Sequence, residues 1–119
     1  MTPKRGDSVA PPAIGTEYDV RYVTNDAIKG WKDLCTQEPG NTNWAWTQMR
    51  QNPGCCNEGP TSRHFQLKRE LATGLYANRE LPQFQIEVLS GARVWYLLDA
   101  DKRVCWLKHA GRGHPKKTE

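Results

Sequence analysis

The segment that decides the fold is residues 91–119, GARVWYLLDADKRVCWLKHAGRGHPKKTE. Two apolar runs within it, 94–98 and 104–107, flank a polar stretch at 99–102. Apolar runs separated by a short polar turn are typical of a β-hairpin, so we expect two antiparallel strands here. The second strand continues into a stretch rich in lysine, arginine and histidine. The pattern therefore predicts cationic side chains along one rigid edge of a sheet.

The rest of the chain predicts a strand and two helices, followed by further strands. Residues 17–23 alternate in period two and indicate the first strand. Apolar residues at helical spacing predict a helix over about 26–38, ended by Pro39-Gly40, and a second helix from about Asn41 to a stop before Pro53. Residues 52–62 are expected to be a loop, and residues 64–68 alternate only weakly. Thr73-Gly74 indicates a turn, and residues 84–88 alternate as a strand.

These elements predict an α+β fold in the order β-α-α-β-β-β, an antiparallel sheet with an N-terminal α-hairpin packed on one face. A chain of 119 residues suits one domain. Proline, glycine and charges in residues 1–16 predict a disordered lead-in, which leaves 17–119 as the folded domain. No apolar run approaches the roughly 18 residues of a membrane span. With no secretory signal either, we expect a cytoplasmic protein without a membrane partner.

The four cysteines favour neither a disulfide framework nor a metal site. Cys55 and Cys56 are adjacent, whereas two zinc-binding cysteines are usually separated by two to four residues. Cys35 and Cys105 lie in apolar patterns and are expected to be buried thiols. We therefore expect a reducing compartment, no metal and no cofactor.

The charge distribution favours an anionic partner. The formal net charge is +4, and residues 102–119 hold six lysines and arginines against one acidic residue. Such a segment is suited to binding a phosphodiester backbone and to stabilising charge as the phosphate is attacked. The alternative is a solvated basic tail with no specific partner.

Four motifs in a fixed order resemble the RelE/ParE superfamily of bacterial type II toxins. They are the strand at 19–22 followed by the helix pair, the stretch FQLK at 65–68, the strand FQIEV at 84–88 leading into GARVWY at 91–96, and the closing LKHA at 107–110 with KKT at 116–118. The resemblance covers about residues 17–119. It implies a RelE-like, microbial RNase-like fold. RelE-type members cleave mRNA in the ribosomal A site, whereas ParE-type members inhibit DNA gyrase, so the fold alone does not decide the function.

RNA cleavage needs a base for the ribose 2′-hydroxyl, a cation for the phosphate and an acid for the leaving oxygen. Arg93 is the candidate phosphate clamp, and the resemblance also implies a functional arginine there. His109 is the candidate acid or base, and Glu87 a candidate carboxylate base. Arg112 completes the predicted catalytic group by holding the backbone. The alternatives are an edge arginine that covers apolar surface and a structural histidine.

A second set of residues is expected to bind RNA without reacting with it. Its members offer amide, aromatic, imidazole or ammonium groups: Lys68, Gln85, Trp95, His114, Lys116 and Lys117. Trp95 has the same strand parity as Arg93 and could line the cleft, although core packing is the alternative for every tryptophan. Tyr96 has the opposite parity and is expected in the core.

Two departures from the RelE pattern stand beside the resemblance. Gln85 and Glu87 occupy positions where RelE has lysines, and the chain ends without the segment that carries RelE's tyrosine. The leading hypothesis is a toxin of a type II module, a metal-independent endoribonuclease that cuts mRNA on the ribosome and is neutralised by a cognate antitoxin. The alternatives are a non-catalytic, ParE-like gyrase inhibitor and a basic nucleic-acid-binding module.

Overall fold

A computed structural model of the chain describes residues 3–9, 11–54, 63–89 and 91–112. Two helices and six strands follow one another in the described residues: β1 (Asp19–Tyr22), α1 (Asn25–Gln37), α2 (Pro39–Gln51), β2 (His64–Gln66), β3 (Thr73–Tyr76), β4 (Arg79–Leu89), β5 (Ala92–Asp99) and β6 (Val104–Arg112). A short 3-10 turn at Arg69–Leu71 joins β2 to β3. The predicted α+β class is confirmed, and the strands outnumber the four predicted.

The sheet is mixed, which corrects the predicted all-antiparallel arrangement. Its order is β1-β6-β5-β4-β2, with β3 paired to the first part of β4. β1 runs parallel to β6, whereas β4, β5 and β6 are antiparallel neighbours. The reason is that the two helices carry the chain from one edge of the sheet to the other. The chain re-enters the sheet at β2, on the far edge, and the later strands fill the sheet back toward β1. The last strand, β6, therefore pairs with β1.

The start of each helix is explained by the residues found there. The Thr24 hydroxyl accepts a hydrogen bond from the Ala27 amide at 2.9 Å and so caps α1. α2 begins at Pro39, two residues before the predicted start, because proline is tolerated at the first helical position, where its missing N–H has no partner to lose. Neither described helix has the length and hydrophobicity needed to span a bilayer.

The β3–β4 hairpin was not predicted. Thr73-Gly74 begins a strand instead of a turn, and the turn lies at Ala77 and Asn78, which both have positive φ (53° and 64°). Two consecutive residues of positive φ are typical of a tight two-residue hairpin. A Cβ at Gly74 would lie 2.8 Å from the Cδ2 of Leu97, so the hairpin folds closely over the sheet.

The core lies between the helices and one face of the sheet. Tyr96 and Cys105 are fully buried there, as predicted. The prediction for Cys35 is wrong, since this thiol is exposed on α1.

The segment expected to be a disordered lead-in makes defined contacts with β1. Val9 is 3% exposed, and its amide donates to the Val20 carbonyl at 2.6 Å. The Tyr22 amide donates to the Asp7 carbonyl at 3.0 Å. Residues 3–9 therefore lie along the free edge of β1. The domain boundary at 16/17 stays a prediction.

Candidate functional site

The strands β4, β5 and β6 present two faces of opposite character. On β4 and β5, even-numbered side chains such as Ile86 and Val94 pack under the helices and are fully buried. The odd-numbered side chains point away from the helices, because side chains alternate along a strand. We call this second surface the helix-free face; it carries Gln83, Gln85, Glu87, Arg93, Trp95 and Leu97.

The strand register makes Glu87 and Arg93 direct neighbours on the helix-free face. They are Cα partners in the β4–β5 ladder. Side chains at such positions have Cβ atoms about 5 Å apart. The Glu87 carboxylate forms no ion pair or hydrogen bond with any described residue. It can therefore act as a proton acceptor beside a guanidinium.

A break in the β5–β6 register brings His109 to the same face. Trp95 pairs with His109 and Tyr96 pairs with Leu107, so Lys108 is an extra residue on β6. Simple alternation from the buried Leu107 would turn His109 toward the helices. The bulge reverses that direction, since two residues oppose one across it. His109 then lies diagonal to Arg93, which corresponds to a Cβ separation of about 7 Å.

Trp95 lies between Gln85 and His109 on the helix-free face and contacts both. Its indole N–H donates to the Gln85 side-chain oxygen at 2.8 Å. Its ring meets the His109 ring edge to face, with centroids 6.5 Å apart. Trp95 is only 2% exposed, so it has no ring face to offer a base. The predicted stacking role does not fit this burial, and Trp95 instead supports the residues around it.

The other end of the helix-free face is covered by the β3–β4 hairpin. Lys108 Nζ donates to the Gln83 side-chain oxygen at 2.9 Å. The side-chain nitrogen of Gln83 donates in turn to the Leu71 carbonyl at 2.8 Å. Sequence reasoning missed this Lys108–Gln83 pair, although Lys108 lies in the basic stretch. The hairpin leaves uncovered the end that holds Glu87, Arg93 and His109, whose side chains are all half-buried. The Nε2 atom of His109 is itself buried.

Arg112 lies on the other side of the sheet, which corrects its predicted convergence with Arg93. It pairs with Ala92, whose side chain is buried under the helices. With Asp33 and Gln37 of α1, it lines a cavity of about 220 Å³. Its position in the register is therefore on the face opposite to Arg93.

Of the predicted RNA-binding residues, Gln85 lies on the helix-free face and Lys68 is exposed just beyond β2. His114, Lys116 and Lys117 lie outside the described residues, so their roles stay predictions.

His64, which is not part of the predicted site, is buried in the core. It is 1% exposed, with Nδ1 3.0 Å from the Gln48 side-chain amide and Nε2 2.6 Å from the Tyr96 hydroxyl oxygen. The Tyr96 hydroxyl donates its one proton to the Pro53 carbonyl. Burial lowers the pKa of His64 to about 4, so the ring is neutral at pH 7.

Within the described ranges, no three His, Cys, Asp or Glu side chains are grouped closely enough to hold a metal ion. Comparison with protein-family models, with curated proteins and with solved structures returned no match for this chain. The resemblance to RelE/ParE toxins therefore stays a prediction from the sequence motifs. The functional argument depends on the geometry of the helix-free face.

Proposed function

We propose that the protein is a metal-independent endoribonuclease whose reacting groups are Glu87, Arg93 and His109. The observation that carries the proposal is their arrangement on the helix-free face. The guanidinium lies on the middle strand, with a carboxylate on one neighbouring strand and an imidazole on the other. No other part of the described chain brings a carboxylate, a guanidinium and an imidazole together on three adjacent strands of one face.

The arrangement suits in-line attack by a ribose 2′-hydroxyl on the adjacent phosphate. Glu87 accepts the hydroxyl proton as the new P–O2′ bond forms. The P–O5′ bond breaks, and the protonated imidazole of His109 gives its proton to the departing 5′-oxygen. The products are a 2′,3′-cyclic phosphate and a 5′-hydroxyl. No metal or cofactor is needed, because the base, the acid and the cation are all side chains.

The separation of the acid and the base supports these roles. β4 and β6 lie two strand spacings apart, which is about 10 Å between backbones. Side chains reaching inward from that distance can flank one phosphate on opposite sides, as in-line displacement requires. Arg93 lies between them, where its two nitrogens can hold the charge of the pentavalent phosphate.

Trp95 and Gln85 act as positioning residues in this proposal. The hydrogen bond from the indole fixes the Gln85 oxygen, so the Gln85 amide N–H groups point away from Trp95. They are suited to donating to a substrate oxygen beside the scissile phosphate. The edge-to-face contact of Trp95 with His109 limits the rotation of the imidazole.

The biological role that we propose is that of a cytoplasmic type II toxin, cutting mRNA on the ribosome and held inactive by a cognate antitoxin. The ordered motifs at 19–22, 65–68, 84–96 and 107–118 support it, together with a helix pair packed on one face of a sheet. The basic stretch at the end of β6 supports an RNA partner.

Cleavage of a 5′-labelled mRNA fragment, alone and on programmed ribosomes, tests the proposal. Glu87→Gln, Arg93→Ala and His109→Ala should each lower the single-turnover rate by about 10²- to 10⁴-fold. Glu70→Gln and Lys102→Ala, at exposed positions away from the site, are matched controls and should cleave like wild type. Cleavage at the wild-type rate in the first three variants would contradict the proposal that these residues are catalytic.

Induction of the wild-type protein in living cells distinguishes a nuclease from a gyrase inhibitor. Pulse labelling should show protein synthesis falling before DNA synthesis when the wild-type protein is induced. Early arrest of DNA synthesis with intact transcripts would contradict the nuclease proposal and favour gyrase as the target.

A further inference from the structure

The bulge on β6 decides which face of the sheet His109 occupies. Lys108 is the extra residue of this bulge, and His109 follows it directly. A bulge leaves one residue unpaired and disrupts the ladder locally, so its geometry depends on contacts from outside the strand pair. In this fold those contacts come from the start of α1, on the side of the sheet opposite to the proposed site.

Two successive carbonyl groups at the bulge bond to the same neighbouring segment. The Leu107 carbonyl accepts a hydrogen bond from the Val23 amide at 2.8 Å. The Lys108 carbonyl accepts one from the Thr24 hydroxyl at 2.9 Å. In a regular strand successive carbonyls point to opposite edges, so this pattern is itself a mark of the bulge. The connection between β1 and α1 therefore holds both carbonyls in the irregular geometry.

The Thr24 hydroxyl makes two hydrogen bonds with different consequences. Its oxygen accepts from the Ala27 amide at 2.9 Å, which caps α1, and its one proton goes to the Lys108 carbonyl. A helix N-cap needs only an acceptor, which aspartate supplies as well as threonine does. The contact with Lys108 needs a donor. Threonine therefore serves both the helix and the bulge, whereas an ionised aspartate would serve only the helix.

A second contact from α1 holds β6 on the other side of His109. A Cβ on Gly30 would lie 1.7 Å from the Ala110 carbonyl oxygen, so the backbones of α1 and β6 approach closely there. Thr24 thus contacts the residue before His109, and Gly30 contacts the residue after it. The ring itself lies edge to face against Trp95. These three contacts together keep the imidazole on the helix-free face.

We propose that Thr24 is a positioning residue for His109. Its hydroxyl proton holds the bulge at Lys108, and the bulge keeps the imidazole on the same face as Arg93. This inference rests on the proposed function, in which His109 is the general acid. Because α1 lies on the far side of the sheet, Thr24 does not touch the substrate. Loss of its donor should therefore lower kcat and leave KM nearly unchanged.

A series of variants of the full-length protein separates capping from positioning. Thr24→Ser keeps the acceptor and the donor, Thr24→Asp keeps only the acceptor, and Thr24→Gly is a tolerated cap that removes the donor without adding a charge. Thr36→Asp, the same exchange at an exposed position of α1, is the matched control.

Nuclear Overhauser effects (NOEs) between the ring protons of Trp95 and His109 report their edge-to-face contact without any RNA. The wild type, Thr24→Ser and Thr36→Asp should show these NOEs. Thr24→Asp and Thr24→Gly should lose them while keeping a cooperative unfolding transition. If both variants without the donor keep the NOEs, the bulge does not depend on Thr24 and the proposal is overturned.

Steady-state cleavage of RNA measures the consequence for catalysis. Thr24→Asp and Thr24→Gly should lower kcat about tenfold or more with KM within about twofold of wild type, and Thr24→Ser should stay within about threefold in both. A rise in KM at unchanged kcat would indicate a role in substrate binding. An equal fall of kcat in Thr36→Asp would assign the loss to charge or helix stability. Either result overturns the positioning role.

The two readouts also separate this inference from the nuclease proposal. Loss of the NOEs without any loss of cleavage would support the contact between Thr24 and the bulge and contradict His109 as the acid. If the wild-type protein does not cleave RNA, the nuclease proposal fails, and the NOEs still decide whether Thr24 holds His109 in place.

Discussion

The buried His64 gives a prediction of how stability depends on pH. Its pKa is about 4 in the folded protein, against 6.5 for an unperturbed histidine. The unfolded chain therefore binds a proton between these values and the folded chain does not. Stability should be highest above pH 6.5 and should fall as the pH is lowered toward 4. At about 1.4 kcal/mol per pH unit, the full loss over this interval is about 3.5 kcal/mol.

Urea denaturation at a series of pH values from 4 to 7.5 measures this loss, and His64→Gln identifies its source. The variant should be less stable at pH 7, because the contacts with Gln48 and Tyr96 are weakened, by about 1–3 kcal/mol. Its stability should also depend much less on pH between 4 and 6.5. Lys102→Ala, at an exposed position in the β5–β6 turn, is the control and should keep the wild-type dependence in that range. If His64→Gln keeps it too, the argument from burial is wrong.

Three other substitutions test the described geometry. Arg112→Ala should leave RNA cleavage within about threefold of wild type, in contrast to Arg93→Ala, when the two are compared in one single-turnover assay. Gly30→Ala should lower the denaturation midpoint strongly or prevent folding, because a Cβ there would lie 1.7 Å from the Ala110 carbonyl oxygen; a wild-type melting curve would contradict the tight α1–β6 packing. Trp95→Phe should lower kcat about tenfold with little change in KM, because the variant loses the indole hydrogen bond to Gln85. A tenfold rise in KM would indicate that Trp95 contacts the substrate directly.

The sequence predicted the elements whose patterns are long and regular. The helix pair was predicted to within two residues at its start points. The strand β4 was recognised from its alternation, and β5 and β6 from two apolar runs that flank a turn. The β3–β4 hairpin was missed because its two-residue turn uses Ala77-Asn78 instead of a glycine, and Thr73-Gly74 drew the turn prediction away from it. The parallel pairing of β1 with β6 depends on contacts distant in sequence, which a local pattern does not contain.

The candidate site could be predicted only in part, for a physical reason that lies in β6. Alternation on β5 grouped Trp95 with Arg93, whereas the placing of Glu87 beside Arg93 comes from the β4–β5 register. The face taken by His109 depends on the bulge at Lys108, and a bulge leaves no mark in apolar periodicity. Arg112 is three residues from His109 on the same strand, and this odd spacing already indicated opposite faces.

Replacing the 5′-bridging oxygen of the scissile phosphate by sulfur tests most directly the separate roles proposed for Glu87, Arg93 and His109. A thiolate leaves without being protonated, so the general acid becomes unnecessary while the base and the cation remain essential. With this substrate, single-turnover cleavage by His109→Ala should recover to within about tenfold of wild type, and cleavage by Glu87→Gln should stay at least about 100-fold slower. Equal rescue of both variants, or of neither, would contradict Glu87 as the base and His109 as the acid.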